Sequence, residues 1–335
     1  MTKPLTETAQ TKQPQSKLKK VLWWIAFVLL LFLLLMSATM FFFTFREKRG
    51  HEAEIEALAQ IVQLTDDKAE AAEPETYPAE PADYLPQYRA LSQVNSDLVG
   101  WIRVPNTPIN HPVAQGEDNG FYLHRDFKTK KYKRYSRGTI FMDYRNHVET
   151  LDTNTILYGH NNLDGTMFSE LEQYKKLSFY KQTPLVYFDT VYATYTWKVF
   201  AVFYAVAEPE LDNGYVFNYI YPTLEQENFE AFLKDVRKRS LLSIPVEVDS
   251  TDKILTLSTC TRDLDLRRGE QKNARLVVMA RLVRDGESLI VDVDKATVQA
   301  QPKHPQLWYD KHKRENPYLQ DEKWYPKKYL KGETT

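Results

Sequence analysis

Cysteine is almost absent from this chain, since Cys260 is the only one among 335 residues. A single thiol cannot form an intrachain disulfide, so no disulfide framework holds the fold. Cys260 is therefore an inert core residue, a partner in an intermolecular bond, or a nucleophile, because free cysteine is both commonly buried and intrinsically reactive. The residue by itself leaves all three open.

The sequence also lacks a glycine-rich phosphate-binding loop and any Cys/His spacing typical of a metal site. Nucleotide and zinc chemistry therefore have little support. No acidic cluster suggests a calcium site, and we predict neither a cofactor nor a metal. The formal net charge of −1 argues neither for nor against nucleic acid.

A long apolar run is present near the N-terminus. Residues 21–45 carry no charge over about 25 positions, and about 20 apolar residues suffice to cross a bilayer. The run continues past a weak cleavage candidate at residues 37–39, so we predict an uncleaved transmembrane anchor. In its close flanks, four lysines precede the run and three basic residues follow it. This bias predicts a cytoplasmic tail over residues 1–20 and an extracellular remainder.

The composition changes three times after the anchor. Residues 46–87 are predicted to form a helical stalk followed by an Ala/Glu/Pro-rich, semi-rigid spacer. Residues 88–284 have the composition of one globular domain, long enough for a single large core. Residues 285–335 form an aromatic and basic extension, which we expect to pack partly on the domain. Binding of a glycan or of an acidic partner is the alternative for this extension.

Short runs rich in β-branched and aromatic residues recur through the globular region and are separated by turn residues. They cover residues 99–104, 138–142, 155–158, 185–188, 195–206, 254–259 and 274–283. Their spacing predicts a mainly β fold, an antiparallel barrel or sandwich rather than a βαβ sheet.

Two helices are predicted between these strands. Thr223 and Gln226 have the spacing of a capping box. The apolar residues after them recur on one helical face and indicate core packing; they are Phe229, Phe232, Leu233 and Val236. The second helix is predicted over residues 167–177.

A catalytic role for Cys260 would require two further groups. A free thiol supplies little thiolate near neutral pH, so an imidazole must take its proton or stabilise the ion. A cationic donor must then meet the oxyanion that develops on the substrate. His160 follows the run at residues 155–158, and Gly159 permits a sharp exit from that strand. Spacing alone slightly favours a loop histidine that caps a turn.

Arg275 leads among the arginines because it opens the strand that follows Cys260. If these two strands are adjacent and antiparallel, Arg275 returns beside Cys260. The connecting loop is long and charged, so three loop arginines remain weaker candidates; they are Arg262, Arg267 and Arg268. A second basic segment, Lys128–Arg137, is expected to be solvated, with an anionic polymer or lipid headgroups as the alternative partner.

Several segments, taken in order, resemble class B sortases, which are Gram-positive cysteine transpeptidases. Three of them carry the candidate catalytic residues: Thr256–Cys260, Tyr158–His160 and Asn273–Val278. The supporting segments are Val99–Ile102, Pro112–Gln115, Asp118–Leu123, Asp126–Phe127, Gly138–Asn146, Asp164–Phe168 and the predicted helix over residues 223–242. The resemblance covers about residues 91–283.

This resemblance implies a sortase-type eight-stranded β-barrel with class B helical insertions, preceded by one N-terminal transmembrane helix. It implies that Cys260 is the nucleophile, His160 the acid/base and Arg275 the oxyanion or substrate stabiliser. The cysteine would attack a threonine carbonyl in a C-terminal sorting signal, and an amine of peptidoglycan or of a pilin lysine would resolve the thioacyl enzyme. We further expect substrate contacts from Ser258, Thr259 and Asn119.

The expected partners are therefore surface proteins or pilins with a sorting signal, an amine acceptor and the membrane, without nucleic acid. Two alternatives use the same barrel. One is a catalytically silent, wall-associated binding or assembly module, which the intact Cys, His and Arg set argues against. The other is a cysteine hydrolase, because the choice between water and an amine as acceptor is not encoded in any local motif.

Overall fold

The computed structural model describes residues 17–69, 84–133, 136–266 and 273–326. The chain divides into two compact units, the first ending at Glu54 and the second beginning at Ile55. Helix α1 (Lys17–Ala69) contains the apolar run of the first unit. Among the described residues, it is the one helix long and apolar enough to cross a membrane.

The second unit is built on a closed barrel of eight strands, in the order β1-β2-β3-β4-β8-β9-β6-β5. The barrel strands are β1 (Leu98–Arg103), β2 (Asn110–Ala114), β3 (Ile140–Met142), β4 (Asn154–Tyr158), β5 (Leu185–Thr190), β6 (Thr196–Val206), β8 (Ile254–Cys260) and β9 (Ala274–Leu282). Two short strands, β7 (Leu242–Ser243) and β10 (Thr297–Val298), pair outside the barrel. The predicted eight-stranded, mainly β architecture is confirmed.

The barrel is mixed rather than antiparallel. The β2–β3 and β4–β8 pairs are parallel, whereas the other six pairs are antiparallel. The antiparallel prediction is therefore wrong for these two pairs. Each parallel pair is joined by a long connection, which lets the chain return in the same direction. The strand β2, which no run above included, has a buried pattern over most of its length.

The helices match the predictions only in part. They are α2 (Pro86–Val94), α3 (Leu177–Gln182), α4 (Gln226–Arg239) and α5 (Gln306–His312). The predicted helix over residues 167–177 is instead a 3₁₀ helix, Phe168–Lys175, followed by α3. The capping box is wrong, because α4 begins after Glu225 and no side chain caps it. The apolar face of α4 is buried as predicted.

Aromatic side chains dominate the main core, which lies inside the barrel and beneath α4. Trp197, Phe203 and Phe229 are fully buried there. Each such side chain contributes roughly 2–3 kcal/mol of transfer free energy. A second cluster covers the outside of the barrel and includes Leu58 of α1 together with Tyr88 of α2. The part of α1 that belongs to the second unit therefore packs on the barrel.

Candidate active site

Two parallel strands bring Cys260 and His160 to one end of the barrel. Strands β4 and β8 run side by side, with Tyr158 opposite Ser258. His160 and Cys260 each lie two residues beyond these partners. Because the strands are parallel, both side chains emerge at the same edge. The thiol of Cys260 is exposed.

Arg275 lies on the other side of the cysteine strand. Strand β9 is antiparallel to β8, and Cys260 is directly opposite Arg275 in the register. This is the pairing that the hairpin argument requires. The guanidinium donates to the carbonyl of Ala274 at 3.2 Å, and its remaining N–H groups include donors suited to an oxyanion. Three neighbouring strands thus present an imidazole, a thiol and a guanidinium in a row.

The imidazole of His160 is held by the turn of 3₁₀ helix at Phe121–His124. Its Nε2 lies 2.7 Å from the carbonyl oxygen of Leu123. A carbonyl only accepts, so Nε2 carries the hydrogen and Nδ1 is the basic nitrogen of the neutral ring. Burial lowers the pKa of His160 below its ordinary value, and the nearby His124 lowers it further. The two imidazole centroids are 5.7 Å apart. His160 is therefore neutral at pH 7, ready to accept a proton.

Gly159 sets the direction in which the chain leaves β4. A Cβ at this position would lie 2.7 Å from ring atoms of Phe168, which is fully buried. The carbonyl of Gly159 accepts from the hydroxyl of Thr259 at 2.7 Å, and the carbonyl of His160 accepts from the N–H of Phe168 at 2.9 Å. The backbone on both sides of the imidazole is thus fixed.

Asn161 connects the histidine segment to the cysteine. Its side-chain amide donates to the carbonyl of Cys260 at 2.8 Å and to Glu172 at 2.9 Å. Of the loop arginines, Arg262 donates to the carbonyl of Asn161 at 2.9 Å, and its side chain is exposed. Arg267 and Arg268 lie outside the described residues. Arg275 is therefore the arginine that the strand register places beside the thiol.

A buried tyrosine lies behind the cysteine strand. The hydroxyls of Tyr219 and Ser258 are 2.8 Å apart. Burial raises the pKa of Tyr219, while the positive charge of Arg275 lowers it and Cys260 raises it. The phenol is therefore within electrostatic range of both. No motif in the sequence indicated Tyr219, because it comes from the segment between β6 and α4.

The three predicted substrate contacts have intramolecular partners. Ser258 and Thr259 are both 2 % exposed, and their hydroxyls bond to Tyr219 and to the Gly159 carbonyl. Asn119 is half-buried and donates to Asp143 at 3.0 Å. Their hydroxyl and amide groups are therefore occupied within the protein, and direct contact with substrate stays a prediction.

The carboxylate that Asn119 contacts is a hub below the histidine strand. Asp143 is fully buried and accepts from Tyr158 at 2.9 Å and from Arg145 at 2.8 Å. These hydrogen bonds lower the pKa of Asp143 in spite of the opposing effect of its burial. Arg145 also donates to the carbonyl of Ile220. The hub therefore joins the His160 strand to the segment that carries Tyr219.

Part of the basic segment Lys128–Arg137 forms ion pairs. Lys130 contacts Asp97 at 2.9 Å, and Arg137 contacts Asp164 at 2.6 Å. The side chains of Lys128, Lys131 and Lys133 are exposed, as expected for a solvated segment, and Arg134 lies outside the described residues. In the described ranges, no group of three or more His, Cys, Asp or Glu side chains could hold a metal ion.

Comparison with known proteins identifies the family of this chain. The family described as "Sortase domain" matches residues 102–283, which contain all three strand ends of the site. The chain belongs to the sortase family. It is 36 % identical to sortase B of Staphylococcus aureus (strain NCTC 8325 / PS 47) over 200 residues, which are 59 % of this chain and 75 % of that protein. Sortase B of Listeria monocytogenes serovar 1/2a is 36 % identical over 198 residues, 59 % of this chain and 74 % of that protein.

Solved structures agree with class B. A Staphylococcus aureus sortase B–substrate complex has a TM-score of 0.59 at 33 % identity, covering 71 % of this chain and 98 % of that chain. Sortase B from Bacillus anthracis in complex with AAEK2 has a TM-score of 0.54 at 32 % identity. The match covers 68 % of this chain and 95 % of that chain. This sortase is therefore a class B cysteine transpeptidase, as the sequence segments predicted.

Proposed function

We propose that Cys260 is the nucleophile of this transpeptidase, His160 its acid/base and Arg275 its oxyanion or substrate stabiliser. One observation carries the proposal: three adjacent strands, β4, β8 and β9, bring these residues to the same edge of the barrel, each within two residues of a strand end. The neutral, half-buried imidazole suits proton exchange near pH 7. The guanidinium stays charged at any relevant pH.

The reaction has two balanced halves. The thiol passes its proton to His160, and sulfur attacks the threonine carbonyl carbon of the sorting signal. Arg275 meets the oxyanion, the C–N bond breaks, and His160 protonates the departing amine. In the second half, an acceptor amine attacks the thioester, the C–S bond breaks, and His160 takes the proton that the amine loses. His160 then gives this proton to the departing sulfur, which restores the thiol.

The acceptor and location complete the proposal. The substrate would be a surface protein or pilin with a C-terminal sorting signal, and the acceptor an amine of peptidoglycan or of a pilin lysine. Residues 21–45 would anchor the enzyme, with residues 1–20 cytoplasmic, 46–87 as stalk and spacer, and the domain at residues 88–284 outside the cell. The apolar length of α1 and the lysines before it support this topology.

The test uses the full chain in detergent with a panel of pentapeptide sorting signals, with and without an amine. Intact mass spectrometry should detect a thioacyl adduct on the wild type that Cys260→Ala cannot form, and added amine should convert it to an amide product. An adduct that only water resolves would favour the alternative function, a cysteine hydrolase. An adduct that persists in Cys260→Ala would refute the assignment of Cys260 as the nucleophile.

Two matched pairs test the other roles. Arg275→Ala should lower kcat/KM by at least a hundredfold, because loss of an oxyanion donor typically costs that much, whereas Arg262→Ala should stay within a few-fold. His160→Gln should abolish turnover, whereas His124→Gln should retain it. If Arg262→Ala were the more damaging arginine variant, the assignment of Arg275 would be wrong.

A further inference from the structure

The C-terminal extension lies outside the residues that the sortase family matches, which end at residue 283, yet it is built into the domain. Its strand β10 pairs with β7 beside α4. Ala296, Leu307 and Tyr309 are only 2–4 % exposed. The prediction that the extension packs on the barrel is therefore met by these side chains.

One part of the extension supports the segment at residues 215–221. The ring of Trp324 lies 6.0 Å from that of Phe217 and 5.9 Å from that of Tyr221. Its carbonyl accepts from the hydroxyl of Tyr215 at 2.9 Å. The same segment carries Tyr219, whose hydroxyl contacts the strand that ends in Cys260. The extension thus packs against the segment that contacts the Cys260 strand.

Another part reaches the loop between Cys260 and Arg275. Lys311, on α5, donates to the carbonyl oxygen of Asp265 at 2.7 Å. Two positions earlier in this loop, Asp263 accepts from Tyr204 at 2.7 Å and pairs with Lys175. Residues 261–266 are therefore tied to the barrel at Asp263 and to the extension at Asp265.

We propose that the extension is a brace, a set of contacts that holds the segment at residues 215–221 and the loop after Cys260 in place. Within it, Lys311 is a positioning residue for this loop. This inference rests on the proposed role of Cys260. The backbone of Cys260 is held by β8 and by Asn161, whose amide donates to the Cys260 carbonyl, independently of Lys311. Releasing the Asp265 carbonyl would loosen the loop without moving the thiol, so binding of the sorting signal would have to order the loop again.

The experiment compares three variants of the full chain in detergent. Lys311→Met keeps the apolar stem and removes the donor, Lys311→Arg restores a donor, and Lys313→Met removes an exposed charge two residues away. We expect Lys311→Met to lower kcat/KM by about five- to tenfold, mainly through KM, because one charge-assisted hydrogen bond is lost. Lys311→Arg should recover most of this, and Lys313→Met should match the wild type.

Two readouts separate positioning from general damage. Alkylation of Cys260 by iodoacetamide should stay within twofold of the wild type in Lys311→Met, and amide hydrogen exchange should rise at residues 261–266. Unchanged exchange and unchanged KM would overturn the inference. A parallel loss of alkylation, exchange protection and melting temperature would also overturn it, since that is the behaviour of a purely structural residue.

Failure of the catalytic assignment gives a different result. It would appear as adduct formation in Cys260→Ala or as absence of turnover in the wild type, whereas failure of the brace would leave wild-type turnover intact. Hydrogen exchange tests the contact between Lys311 and Asp265 in either case, because it needs no substrate.

Discussion

His304 makes the stability of this domain depend on pH in a way that one substitution can isolate. The imidazole is 7 % exposed and stacks on Trp308 at 4.0 Å. Among the described residues, none bonds its Nδ1. Burial lowers the pKa of His304 from its ordinary 6.5 to about 4, and the neighbouring His312 and Arg239 contribute in the same direction.

The direction of the effect follows from proton binding. Between pH 4 and 6.5 the unfolded chain takes up a proton at His304 that the folded chain does not. The free energy of unfolding therefore falls as the pH is lowered through this window, and the penalty levels off below about pH 4. With these two pKa values the penalty is about 2.5 kcal/mol at pH 4.5 and near zero at pH 7.5.

The measurement is urea unfolding of the wild type and His304→Phe at pH 4.5 and 7.5. Phenylalanine keeps a ring against Trp308 and cannot titrate, so the variant should lose about 2.5 kcal/mol less than the wild type between the two pH values. Trp308→Phe is the control, because it weakens packing but keeps the imidazole and should retain the wild-type pH dependence. Parallel curves for the wild type and His304→Phe would refute the reasoning.

Three further predictions concern β4, the turn that follows it and the segment at residues 215–221. Asn154→Leu removes donors from the carbonyls of Tyr219 and Tyr221 and should lower the free energy of unfolding by about 3 kcal/mol in urea titrations; a loss below about 1 kcal/mol would contradict this. Tyr219→Phe should reduce kcat/KM about fivefold through loss of one hydrogen bond, and an unchanged value would remove the tyrosine from the site. Gly159→Ala forces a Cβ against Phe168 and should lower both melting temperature and kcat. Gly214→Ala meets no atom within 4 Å but has a φ of 74°, so backbone strain should lower its melting temperature and leave kcat unchanged.

Local patterns indicated the three candidate residues of the site, whereas their roles came from the resemblance to class B sortases. Cys260, His160 and Arg275 each lie at a strand end or start, and such boundaries are visible in a single sequence as the change from apolar residues to turn residues. The apolar face of α4 was equally accessible because its period of 3.6 is a local property. The prediction for α4 needed no knowledge of which strands are neighbours, whereas the prediction for Arg275 required β8 and β9 to be adjacent and antiparallel.

The start of α4 shows where local reasoning failed. Thr223 and Gln226 have the spacing of a capping box, yet the helix begins only at Gln226. The backbone just before it is held elsewhere, because the carbonyl of Pro222 accepts from the N–H of Asn154. The tertiary bond to β4 fixes the chain in a non-helical path and overrides the local preference. The sequence contains no sign of this bond.

The residues missed at the site share the same cause. Three separate connections between strands carry Asn161, His124 and Tyr219. Their contacts with the segments of Cys260 and His160 exist only once the barrel has closed. Closure depends on the parallel pairing of β4 with β8, whose partners Gly159 and Thr259 are separated by 100 residues. A single sequence predicts strands from composition but gives no register between strands so far apart.

The long connection between β8 and β9 explains why supports from outside the barrel matter here. An antiparallel hairpin fixes its own register through a short turn, but the loop between Cys260 and Arg275 is too long to act in this way. Its position must come from contacts, and the structure supplies them from Lys175, Tyr204 and Lys311. Two of these belong to the barrel domain and one to the extension. On the proposed assignment, strands fix the nucleophile and side chains fix the loop beside it, so thiol reactivity and substrate binding would depend on separate contacts.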